Sequence, residues 1–145
     1  MPWTVILVGT DGTERAGRAV VHAAELAQSV SAELVVVTAY SAGREPSAET
    51  TPAELEWAAT AAAGAEEVAH RAADLARSAG AQRVRTRTIR ALPAEGLTQV
   101  AEDVKADLIV VGSKGMSSSM RFITGSVPND LSHHVQRDLL IVQTA

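Results

Sequence analysis

Apolar runs recur along the chain, and each ends at a turn signal or a polar residue. Trp3 to Val8 stops at Gly9, Leu34 to Tyr40 at Ser41, Leu108 to Val111 at Gly112, and Leu139 to Gln143 closes the chain. Uninterrupted runs of this length read as strands buried on both faces. Arg83 to Arg90 differs, because Arg83, Arg85, Arg87 and Arg90 are interleaved with Val84, Thr86, Thr88 and Ile89. That pattern suits a strand with a solvated face or edge.

Helical periodicity fills the gaps. After Thr10-Asp11-Gly12, with Asp11 or Thr13 as cap, Ala16, Ala19, Val20, Ala23, Ala27 and Val30 recur on one stripe. His22 falls off it and has no partner at His-x3-His spacing, so it reads as solvated rather than as a metal ligand. Ser41 to Thr51 reads as a loop rich in Gly, Pro and Ser. Thr51-Pro52-Ala53-Glu54 then has the form of a capping box with proline at the first helical position. This second helix should reach about Ala79, where Gly80 stops it, and Gly64 inside it costs about 1 kcal/mol relative to alanine. Leu55 and Trp57 are expected to bury against the sheet. Pro93 opens a third helix whose Leu97, Val100, Ala101 and Val104 share a face. A last helix, through Val135, carries Leu131 four residues earlier, with His133 and His134 near its end.

Strands alternating with helices predict an α/β protein: a three-layer, doubly wound, Rossmann-like domain on a five-stranded, mainly parallel sheet. The 145 residues, 46% of them apolar, suit one domain over 1–145. There are no cysteines, so disulfides are excluded. A formal charge of −4 argues against nucleic-acid or anionic-membrane partners. No apolar stretch approaches the roughly 18 residues of a membrane span. Without a signal-peptide pattern, the expected location is the cytoplasm.

The richest chemistry follows the fourth strand. Val110-Val111-Gly112-Ser113-Lys114-Gly115 leads into a polar stretch from Met116 to Thr124, with consecutive serines and Arg121, before Gly125-Ser126-Val127-Pro128. Glycines leave backbone N–H groups open to a ligand, and a helix N-terminus adds an oriented dipole, so the stretch suits an anion such as phosphate. Spacing alone is met equally by two turn glycines and a helix cap.

The pattern Gly112-x2-Gly115-x9-Gly125-Ser126 resembles the nucleotide-binding signature of the universal stress protein family. Glycine usage of about 7% makes an accidental match a matter of roughly one chain in a hundred. Ala106 to Gly112, Leu139 to Val142 and the opening Val5-Ile6-Leu7-Val8-Gly9-Thr10-Asp11-Gly12 resemble the family's strands and first loop, so the resemblance spans the chain. It implies strand order 3-2-1-4-5, and hence a crevice between strands one and four. It also implies that Thr10 and Asp11 meet the adenosine half of a nucleotide, Ala39 lines the base, and Val111 and Gly112 form the next wall. Gly115, Gly125, Ser126 and Val127 would cradle the phosphates, and Lys114 and Arg121 could add charge. One departure stands out: many relatives carry Gly-x-Pro entering the third helix, where this chain has Ala91-Leu92-Pro93.

The function so implied is that of a stress-response binding and signalling module for an adenine nucleotide, rather than an efficient catalyst. ATP, with Mg2+, is the first candidate ligand and cyclic AMP the alternative, with slow ATP hydrolysis or autophosphorylation of a loop serine as the enzymatic option. The downstream protein partner stays unspecified. The last strand is apolar and lies at a sheet edge, which needs cover. The resemblance implies that it pairs with its own copy in a homodimer.

Other classes fit less well. The chain lacks Gly-x4-Gly-Lys-Ser/Thr after the first strand, and Gly9-Thr10-Asp11-Gly12 is no Gly-x-Gly-x2-Gly fingerprint. A phosphoacceptor receiver would want a carboxylate ending strand three, where Ile89-Arg90-Ala91 stands. A hydrolase would need Ser126, Asp11 and His133 or His134 to converge, but there is no Gly-x-Ser-x-Gly elbow.

Overall fold

The computed structural model describes residues 3–41, 49–113, 131 and 136–144. The elements in chain order are β1 (Val5–Gly9), α1 (Glu14–Val30), β2 (Glu33–Tyr40), α2 (Pro52–Ser78), β3 (Val84–Arg90), α3 (Pro93–Val104), β4 (Leu108–Gly112) and β5 (Asp138–Val142). They form one sheet of order β3-β2-β1-β4-β5 in which every pairing is parallel. The expected order and layering are therefore present, and the sheet is wholly rather than mainly parallel.

Alternation along each strand divides the core in two. Ile6, Val8, Leu34, Val36, Leu108 and Val110 point to one face and pack with Ala19, Val20, Ala23 and Ala27 of α1 and Ala72 and Ala76 of α2. Leu7, Val35, Val37, Ile109 and Val111 point to the other, against Leu97, Val100 and Ala101 of α3 and against Leu131. A strand flanked by helices on both sides has no solvent face, which is why β1, β2 and β4 read as unbroken apolar runs. Most of the α1 and α2 contacts are alanines, so these helices lie close on the sheet. Burying a valine or leucine this fully contributes about 1.5–3 kcal/mol.

Capping is local. Thr13, rather than Asp11, caps α1, its hydroxyl accepting from the Ala16 amide at 3.2 Å. Thr51 and Glu54 form the capping box of α2. Gly80, at φ +113°, turns the chain beyond its end.

At the amino end of the sheet, Asp107 Oδ2 accepts from the Thr4 hydroxyl (2.7 Å), the Thr4 amide (2.9 Å) and the Val5 amide (3.0 Å). These bonds, the hydroxyl foremost, hold the Asp107 carboxyl below the usual carboxylate range. Trp3 Nε1 donates to Asp138 Oδ2 at 2.8 Å, which ties the first residues to β5.

The arginines on β3 and just before it decorate an edge strand, as expected. Arg85 pairs with Glu33 at 2.8 Å, Arg87 with Asp103 at 3.3 Å, and Arg83 donates to the Ser31 carbonyl. Exposed pairs of this kind contribute about 0–1 kcal/mol each, and their main effect is to keep another strand from adding to this edge.

The expectation for Leu55 and Trp57 is wrong. They are 48% and 63% exposed, and nearly every residue from Thr51 to Thr60 is exposed. The buried residues of α2 begin only at Ala65. At about 1.5 Å per residue, the helix outruns the sheet that its later turns cover. The last-helix residues Val135, His133 and His134 lie outside the described residues.

Candidate functional site

The sheet reverses its winding between β1 and β4. The chain leaves β1 for α1 on one face, whereas Leu131, beyond β4, packs on the other, and such a divergence is the arrangement that opens a crevice at the carboxyl ends of neighbouring strands. Their register pairs Ile6 with Leu108, Leu7 with Ile109 and Val8 with Val110. Continued by one and two residues, it sets Gly9 opposite Val111 and Thr10 opposite Gly112. Segments a hundred residues apart in sequence thus converge.

The β1 side is braced by its own hydrogen bonds. Thr10 is only 2% exposed, its amide donates to the Val37 carbonyl at 2.9 Å, and its hydroxyl accepts from the Gly12 amide at 3.1 Å. Asp11 Oδ1 accepts from both the amide (2.9 Å) and the hydroxyl (2.7 Å) of Thr13. The carboxylate is thereby fixed at the mouth of the crevice, half-buried, by the residue that caps α1. Gly12 takes φ +85°, and a Cβ there would lie 3.0 and 3.1 Å from the methyl groups of Val68 in α2. Three elements therefore determine where Asp11 sits.

On the β2 side, Ala39 is half-buried near the strand's end, in register with Ile89. On the β4 side, Val111 and Gly112 are buried, and the next amide, of Ser113, donates to the Val142 carbonyl at 2.7 Å. The Ser113 hydroxyl donates to Gln143 Oε1 and accepts from the Thr144 amide, both at 3.1 Å. Of the site residues expected from sequence, the fold brings Thr10, Asp11, Ala39, Val111 and Gly112 to this one end of the sheet. Gly115, Gly125, Ser126 and Val127, with Lys114 and Arg121, lie outside the described residues.

Sequence reasoning missed three residues here. Val68 supports the first loop from a helix far along the chain. Gly96, inside α3, faces Ala39 and Ile89. Thr38, next to Ala39, is 5% exposed, and its hydroxyl has no hydrogen-bond partner among the described residues. Of these, only Gly96 left a signal, as a glycine inside a helical pattern.

A groove of about 310 Å³ between α2 and β3, lined by Glu66, Ala69, His70, Thr86, Arg87 and Thr88, lies at the outer edge of the sheet, away from the β1–β4 crevice. Among the described residues, no three His, Asp or Glu side chains cluster to hold a metal ion, and no helix is long and apolar enough to cross a membrane.

The sequence model of the universal stress protein family matches residues 2–143. The chain belongs to the universal stress protein family. Universal stress protein Rv1636 of Mycobacterium tuberculosis is 36% identical over 143 residues, which cover 98% of this chain and 97% of that protein. The crystal structure of a universal stress protein in complex with cAMP superposes with a TM-score of 0.77 at 32% identity and covers all of both chains. UspA from Lactobacillus plantarum shares the fold, with a TM-score of 0.82 at 22% identity over 99% of each chain.

Proposed function

We propose that this universal stress protein binds an adenine nucleotide in the crevice between β1 and β4 and acts as a stress-response binding and signalling module. The observation that carries the reading is the convergence of Thr10-Asp11 with Val111-Gly112 at the switch point of the sheet. A relative that covers the whole chain at 32% identity was crystallised with cAMP, which supports the same class of ligand.

In this reading Thr10 and Asp11 meet the adenosine half, Ala39 lines the base, and Val111 and Gly112 form the adjoining wall. Gly115, Gly125, Ser126 and Val127 supply amides and a hydroxyl to the phosphates. ATP is the first ligand to test. Its Mg2+ would be held chiefly by the phosphates, as is usual for that ion. Cyclic AMP is the second ligand, favoured by the complex of the relative, and shares the adenine contacts while differing at the phosphate, which also takes up the ribose 3′ oxygen. A homodimer through β5, with the nucleotide sites outside the interface, completes the proposal.

Calorimetric titration with ATP, AMP and cyclic AMP tests it. The wild type should bind, and Gly115→Val or Gly125→Val should abolish binding while leaving the fold, because a side chain there fills phosphate volume. Unchanged affinity for ATP and cyclic AMP in both variants would show the assigned site to be wrong.

A further inference from the structure

Gly96 lies in the first turns of α3, buried over the carboxyl ends of β2 and β3. Its φ is not in the left-handed region, so the backbone does not require glycine there. Inside a helix, glycine costs about 1 kcal/mol relative to alanine. What accounts for it is space. A Cβ at Gly96 would lie 2.8 Å from Ile89 Cγ2, 3.3 Å from Ala39 Cβ and 3.3 Å from Ala91 Cβ. The two alanines have no rotamer to change, and the third neighbour is a methyl on a β-branched stem, stiff at χ1. Ala39 and Ile89 are partners in register, so the helix backbone rests directly on a pair of strand ends.

We propose that Gly96 is a positioning residue for the nucleotide site: by lacking a side chain it seats α3 against Ala39 and Ile89 and so fixes the depth of the recess that takes the base. The inference rests on the assignment of Ala39 to the base wall. A side chain at position 96 must either lift the first turns of α3 or push Ala39 toward the ligand. Both change the base end of the site and leave the phosphate end as it was.

The test compares the wild type, Gly96→Ala, Ile89→Ala and the double variant, each titrated with AMP, ATP and cyclic AMP and each melted thermally. Gly96→Ala should keep a cooperative melt and lose about tenfold in affinity for all three nucleotides alike. Ile89→Ala removes the closest methyl, so the double variant should bind within about threefold of Ile89→Ala alone. A loss of overall stability would also weaken all three alike, but only in a variant already partly unfolded at the titration temperature, which the melts reveal. If Gly96→Ala does not fold, the comparison of the double variant with Ile89→Ala carries the test. Unchanged affinity in Gly96→Ala, a loss that grows with phosphate number, or a double variant far weaker than Ile89→Ala overturns the proposal. A wild type that binds none of the three overturns the nucleotide assignment as well, and the wild-type titration alone reveals it.

Discussion

The methyl groups of Val68, midway along α2, lie 3.0 and 3.1 Å from where a side chain on Gly12 would begin. Gly12 also holds φ +85°, so both space and backbone demand glycine at this turn. The loop that carries Thr10 and Asp11 is consequently wedged between the cap of α1 and the flank of α2.

Two glycines should therefore respond in opposite directions. Gly12→Ala should destabilise the protein by about 1–2 kcal/mol from the left-handed backbone alone, with more from the contact with Val68. At Gly64, in the exposed part of α2, a Cβ would meet nothing within 4 Å, so Gly64→Ala should stabilise by up to about 1 kcal/mol. Urea unfolding of both variants checks the signs, and a stabilising Gly12→Ala would contradict the geometry.

Asp11→Ala should weaken AMP, ATP and cyclic AMP by a similar factor, about tenfold. Ser126→Ala should act more on nucleotides with longer phosphate chains. Because Asp11 also accepts from both donors of Thr13, its loss loosens the cap of α1, so the melting temperature should fall modestly as well. Calorimetry on the two variants decides the division of labour, and identical patterns across the three nucleotides would end it.

Asp107 gives a pH dependence of known sign. Its folded carboxyl titrates below the ordinary value, so its contribution is fully present above the unfolded pKa and is lost as pH falls through the lower folded value. Because the hydrogen bonds of Asp107 lie largely in solvent, Asp107→Ala should cost about 1 kcal/mol at pH 7. The difference from wild type should narrow as pH is lowered below the ordinary aspartate range. Unfolding curves at pH 7 and in strong acid measure it, and a difference that widens in acid would reverse the assignment.

Ile141 tests the assembly. It lies on edge strand β5, 43% exposed, in register with Val111. It shares the strand face of Leu139, which packs against the α3-side core. Ile141→Lys should convert a dimer to monomer or aggregate, as followed by light scattering. A well-behaved wild-type monomer at micromolar concentration would refute the dimer.

Much of this was legible in the chain. The runs Val5 to Val8, Leu34 to Tyr40 and Leu108 to Val111 are central strands because a parallel sheet covered on both faces excludes water from all but their end positions. The arginines from Arg83 to Arg90 marked an edge because only a strand with open sides can keep alternate charges solvated. Thr51-Pro52-Ala53-Glu54 fixed the start of α2 because capping is settled within a few residues.

Leu55 and Trp57 show where that reasoning stops. Their apolar character is local, but whether anything lies beneath them depends on how far α2 extends past the sheet, which no neighbouring residue encodes. Val68 under Gly12 and Gly96 over Ala39 are of the same kind: each pairs residues distant in sequence, and the contact exists only after the helices have been laid on the sheet. The sequence by itself determined which residues become strand, helix and turn, because periodicity and caps act over one or two turns of chain. Only the tertiary structure decided which glycines are required for close approach and which apolar side chains stay in water, because close packing is a relation between elements rather than a property of either.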